Sequence, residues 1–243
     1  MIRMIGTIFH TIIYLPLYNA LIFLIGIVPG ESVGFAVILL TVIVRLLMFP
    51  IAQKSIKSQI TMRAIAPELE AIKKAYPDKQ EQAAKTFALY KERKINIFAN
   101  FYLLLLQIPV FIGLYGVFLR GGLPIVNEAF LYPFVNGAVH PNMLFLGLID
   151  MASHSIPLAI LAGAAQLAFA KLSLPKPATD GSGFSHDLAK SMHVQMLYVL
   201  PIVMVFIGYT VSAAAALYLA TGSVMSIAQE LFIKRRMMRK GQL

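Results

Sequence analysis

Residues 33–51 form an apolar run in which Arg45 is the only charge. As a helix the run is long enough to span the roughly 30 Å hydrocarbon core of a bilayer. Arginine cannot shed its charge by deprotonating. Its neighbours one helical turn away are Thr41 and Phe49, neither of them acidic. A charge at mid-helix costs about 2.5–3.5 kcal/mol on insertion scales, so such a residue usually faces a bundle interior or a hydrated cavity. The alternative is snorkelling. Ile51 lies six residues on, about 9 Å along a helix, and a long side chain reaches part of that distance. Position alone leaves both arrangements open.

The remaining chain repeats this character. Hydrophobic residues make up 58% and charged residues 13%, against about 25% charged in soluble domains, which defines a polytopic membrane protein. No Cys is present, so disulfides, thiolate metal sites and Cys nucleophiles are excluded. His10, His140, His154, His186 and His193 are scattered without paired ligand spacing, and no glycine-rich phosphate motif occurs. No metal, nucleotide or other cofactor is expected.

Spans are expected at about 33–51, 98–119, 156–172, 192–207 and 213–233. Residues 4–29 are apolar and aromatic, interrupted by His10, Pro16 and Asn19. A signal peptide and a full span are the alternatives for this segment, the first disfavoured by a missing small-residue cleavage site and a single basic residue, Arg3. Pro16 with Tyr14 and Tyr18 suits a helix at headgroup level, so residues 1–30 are read as an interfacial or membrane-inserted helix. Residues 53–95 are the long hydrophilic stretch, with ten Lys and Arg against five Asp and Glu, a net of +5. Ile56, Ile60, Ile65, Leu69 and Ile72 recur at helical spacing, and Phe87, Leu89 and Tyr90 mark a second arm. The break at Tyr76-Pro77-Asp78 predicts a helical hairpin. The positive-inside rule places it in the cytoplasm. Five spans then put residues 173–191 and the basic tail 234–240 on the same side, and the weakly charged 120–154 outside.

Thr41 and Arg45 share a helix face. Gln107, Gln166, Thr221 and Ser223 lie in other spans. Singly, such residues serve as packing glue between helices. Beside an unpaired arginine they suggest a hydrated cavity. Proton and cation pathways usually rely on an intramembrane acid, and the spans are read as holding none to neutralise Arg45. A cavity with one positive charge attracts a negative group from outside the protein. The small residues of 162–165 and 213–216 are read as close helix packing.

In order along the chain these features resemble the YidC/Oxa/Alb membrane protein insertases. The segment Leu39 to Pro50 resembles the family's first core helix, with Arg45 at its functional arginine. Pro67 to Tyr76 looks like the first arm of the cytoplasmic hairpin, and Leu89-Tyr90-Lys91 with Asn96 like the end of the second. Leu105 to Phe111 with Leu114-Tyr115 is similar to the Gln-hydrophobic-Pro signature of the second core helix. Ala162 to Gln166 matches the third, and Leu217-Tyr218 with Ser226 to Gln229 resembles the last. The chain departs from the pattern at Asn96-Ile97 and Ala99-Asn100, where relatives carry Asn-Pro-Gly-Cys. Ser212 and Ala214 replace a Pro and a Gly, and Leu219 replaces a Trp. Nothing here resembles the large periplasmic domain of some relatives.

The resemblance implies an all-α integral membrane protein: an N-terminal interfacial helix (1–30) and an insertase core (31–243) of five transmembrane helices with a cytoplasmic helical hairpin. It implies a groove open to the cytoplasm, lined by Arg45, Thr41, Gln107, Gln166, Leu219 and Ser223. The implied activity is energy-independent insertion and folding of nascent membrane proteins in the bacterial plasma membrane, without catalytic chemistry. The ribosome, the Sec translocon and a targeting receptor are the further partners it suggests, with no DNA. A small transporter and a non-catalytic assembly scaffold are the competing classes.

Overall fold

The computed structural model describes residues 7–95, 99–120, 123–173 and 194–241; the expected loop at 173–191 falls outside them except for Ser173. The described helices are α1 (Thr7–Ile25), α2 (Val33–Leu47), α3 (Phe49–Ala64), α4 (Ala66–Ala75), α5 (Lys79–Glu92), α6 (Ala99–Arg120), α7 (Ile156–Ser173), α8 (Leu200–Thr210) and α9 (Ala213–Arg239). Among the described residues α1, α7 and α9 are long and apolar enough to cross a membrane, and the bent pair α2–α3 makes a fourth candidate.

Prolines set the breaks. The expected span 33–51 stops at Leu47, and the chain turns by 69° into α3. Pro50 lies in the first turn of α3; it has no N–H to continue the ladder, and its ring opposes the preceding carbonyls. Arg45 therefore sits in the last turn of α2. Pro16 and Pro201 each follow a π-helical segment, His10–Tyr14 and Gln195–Val199, a local accommodation of the missing N–H.

The small residues do pack helices closely. Ala162, Ala213, Ala214 and Ala216 are fully buried, and α7 contacts both α8 and α9. A side chain at Gly163 would meet Val205 Cγ2 at 2.2 Å and the Pro201 carbonyl at 3.1 Å, so the two backbones touch.

At one end of the bundle, residues 123–155 form a cap that contains a short hairpin, β1 (Leu144–Phe145) with β2 (Ile149–Asp150). Its carbonyls take up the N–H groups that a helix start leaves unpaired. Asn142 accepts from Val33 at the head of α2 (3.0 Å), and Ser153 and Met151 accept from Ala213 (2.7 Å) and Ala214 (3.2 Å) at the head of α9. The cap is also tied to α1. Asn19 Nδ2 donates to the Phe130 carbonyl (2.8 Å), its Oδ1 accepts from the Tyr132 N–H (2.6 Å), and Tyr18 Oη accepts from the Asn127 N–H (2.7 Å). Asn19 thus pairs with the loop as a peptide group would, in a buried setting. Asn19→Leu strands that amide and that carbonyl, at about 1–3 kcal/mol. Faster hydrogen exchange across 127–132 is the expected result, and unchanged protection would show that the side chain does not hold the loop.

At the opposite end the hydrophilic stretch holds three helices where two are expected. The isoleucine stripe divides between two partners. Ile56 and Ile60 of α3 pack with Ile233 and Met237 of α9. Ile65, Leu69 and Ile72 pack with Leu89 and Tyr90 on α5. The expected break at 76–78 does separate α4 from α5, and Asp78 caps α5 by accepting from the Glu81 N–H (3.1 Å). Residues 234–240 are no separate tail: α9 continues to Arg239, with Met237 buried against α3.

Candidate functional site

Arg45 is half-buried. Its backbone carbonyl, close to the end of α2, accepts a hydrogen bond from Gln229 Nε2 at 3.0 Å. Its guanidinium lies against Gly222, two turns earlier on α9, and within electrostatic reach of Tyr218, one turn earlier still. α2 and α9 both start at the cap, so the side chain reaches back toward the cap and the middle of the bundle. Helical side chains lean toward their own N-terminus, which favours this direction. The head lies away from the α3 end, opposite to the direction that snorkelling toward Ile51 requires.

Polar groups from two further helices meet side chains along the same stretch of α9. Gln107 on α6 donates through Nε2 to Tyr218 Oη. Ser223 Oγ donates to Gln166 Oε1 on α7 at 3.0 Å. Of the six residues expected to line a groove, Arg45, Gln107, Gln166 and Ser223 thus meet along one face region of α9. Thr41 is on the same helix as Arg45, but its hydroxyl is buried and donates to the Val37 carbonyl at 2.6 Å. Leu219 packs against the apolar core. Among the described residues no carboxylate is within ion-pair distance of Arg45, and its Nε is buried without a hydrogen-bond partner. Two shallow depressions lie near the cap, one beside Asp150, His154 and Tyr209, the other beside Val126, Val139 and His140; Arg45 borders neither.

The expectation that the spans hold no acid needs correcting. Glu230 lies inside the predicted span 213–233 and is 1% exposed. It is committed to Arg63 on α3, whose Nη1 donates to Oε1 at 2.8 Å and to the Leu172 carbonyl at 2.7 Å. Ser173 Oγ donates to the other carboxylate oxygen. This cluster fastens α3 to the ends of α7 and α9 and leaves Arg45 unneutralised. A lone acid in an apolar span was the available signal for Glu230. Gln229 stood within the resembling motif Ser226 to Gln229. Nothing in sequence spacing linked Arg63 to either residue.

Fold and site together define a polytopic helical membrane protein in which Arg45 pairs with no carboxylate among the described residues. The profile of a family described as the 60Kd inner membrane protein matches residues 24–240. The chain belongs to that family, whose relatives include the YidC insertases. A membrane protein insertase YidC of Clostridium tetani is 34% identical over 85% of this chain and 84% of its own length. One from Fusobacterium nucleatum is 30% identical over 84% and 86%. The membrane protein insertase MisCA of Bacillus subtilis is 28% identical over 84% and 71%. A crystal structure of an active YidC insertase with its first transmembrane domain resolved matches with a TM-score of 0.54 and 23% identity. It is a likeness of fold, over 82% of this chain and 41% of that longer one.

Proposed function

We propose that this chain inserts newly made membrane proteins into the bacterial plasma membrane and helps them fold. The observation that carries the reading is the unneutralised, inward-pointing Arg45, with polar side chains of α6, α7 and α9 gathered beside it. Such a centre lowers the cost of drawing a polar tail into the membrane, because the tail's charged and peptide groups find partners there. An acidic residue on the tail is attracted by Arg45. The client's apolar segment then passes into lipid, and burial of about 20 apolar residues drives the transfer without ATP.

In this reading five helices span the membrane around a groove that opens to the cytoplasm. The end carrying α3, α4 and α5 is cytoplasmic. Residues 123–155 contain no Lys or Arg, whereas 53–95 carry ten and 234–240 carry five, as the positive-inside rule requires. The cap seals the outer side. α1 lies along that cap at the interface: the His10 ring meets Phe130 edge-on, Tyr18 binds residue 127, and Gly26 lies against Val139. Its length alone would allow a crossing, but contacts with the cap run from one end of the helix to the other. The pair α4–α5 receives the client from the ribosome or a targeting receptor, alone or with the Sec translocon.

The test is insertion of a single-span client with an acidic outer tail into liposomes, scored by protease protection. Liposomes carrying this protein should protect the tail, and empty ones should not. No gain over empty liposomes, with the protein folded, would favour a scaffold instead.

A further inference from the structure

We infer that Gly222 and Gln229 are positioning residues that fix where Arg45 holds its charge, an inference that rests on the function proposed above. Glycine in a helix interior is disfavoured relative to alanine, yet Gly222 sits in the middle of α9, buried and with ordinary helical backbone. The neighbouring guanidinium accounts for it. A Cβ at this position would lie 3.0 Å from Arg45 Nη2, 3.6 Å from Nε and 3.7 Å from Cζ. The absent side chain lets the arginine head pack close against the helix, and a methyl group there would press it away by a few tenths of an ångström.

Gln229 acts at the other end of the same side chain. α2 stops two residues after Arg45, so the Arg45 carbonyl is among the last four, which have no partner of their own within a helix. Gln229 Nε2 supplies one at 3.0 Å, and Gln229 is 6% exposed. Residues 222 and 229 are seven apart, on one face of α9. One holds the main chain of Arg45 and the other admits its head, so together they set how far the charge extends from the bend toward the bundle centre.

Two measurements test this. The first is a thermal-stability cycle on the purified full chain in detergent. Gly222→Ala should lower Tm or leave it unchanged in the Arg45 protein. It should raise Tm in an Arg45→Ala background, where no guanidinium opposes the methyl group and the helix preference for alanine is felt. Additive effects would overturn the inference. The second compares liposome insertion of two clients, one with an acidic tail and one with that acid neutralised. Gly222→Ala and Gln229→Leu should each slow the acidic client by roughly fivefold and the neutral client far less. Pairing Gly222→Ala with Arg45→Lys, which lacks Nη2, should add nothing to Arg45→Lys alone. Equal slowing of both clients would reduce the two residues to a structural role and overturn the inference. If the unaltered protein inserts neither client, the proposed function fails, and the stability cycle still decides whether Gly222 places the arginine.

Discussion

Replacing Glu230 with leucine is expected to lower the stability of the folded protein by about 3–5 kcal/mol, the cost of removing one partner from a buried ion pair. The size follows from what is left behind. Glu230 is 1% exposed and receives Arg63 Nη1 and Ser173 Oγ. Arg63 is 20% exposed, and its Nε and Nη2 are already buried without partners among the described residues. Without the carboxylate, that guanidinium keeps only the Leu172 carbonyl. The loss is therefore the desolvation cost of a stranded charge added to a lost bond. Replacing both members, Arg63→Met with Glu230→Leu, should restore most of the stability, because well-packed apolar pairs often match the ion pair they replace. Thermal unfolding in detergent reads both. A double variant no better than Glu230→Leu alone would mean that the damage lies in packing, not in the stranded charge. Because the cluster joins α3 to α7 and α9, the single variant should also expose the α3–α4 junction at Ile65 to proteolysis before the rest of the chain.

Arg45→Ala should slow insertion of a client with an acidic outer tail by roughly tenfold or more, the scale of close charge pairs at interfaces, while leaving a neutral-tailed client largely unaffected. The argument is electrostatic. No carboxylate of the described chain pairs with Arg45, so its field is free to act on an incoming group. Arg45→Lys should still insert the acidic client faster than Arg45→Ala, because attraction of a mobile carboxylate needs charge and not a planar fork, but more slowly than the arginine protein, because its ammonium stands at a different reach. Protease protection in liposomes with both clients measures the difference. Equal slowing of the two clients by Arg45→Ala would remove the charge from the mechanism. Loss of all activity in Arg45→Lys, with a Gln107 variant intact, would point instead to a fixed bidentate site.

Much of the architecture was legible because bilayer and helix physics act on sequence directly. Apolar runs of span length, the basic stretch 53–95 and the turn at Tyr76-Pro77-Asp78 needed no tertiary information. The small-residue strips at 162–165 and 213–216 were legible for the same reason, since only small side chains let backbones touch. The bend after Leu47 was less so: Pro50 was visible, but an apolar run gives no sign of where a helix changes direction. The stripe from Ile56 to Ile72 looked continuous because periodicity records a face and not what covers it; the structure divides that face between α9 and α5. The candidate site was legible as residue types, Arg45 with Gln107, Gln166 and Ser223, but not as pairs.

The sequence by itself determined that the chain is a polytopic helical membrane protein, with its basic residues gathered toward one end and one unpaired charge in an apolar segment. Those properties follow from composition and period, which local chemistry sets. Only the tertiary structure decided which way Arg45 points, that Glu230 is spent on Arg63, and that Gly222 and Gln229 bracket the arginine. Partners such as Arg63 and Glu230, 167 residues apart, meet only when helices pack, and no periodicity along the chain encodes that meeting.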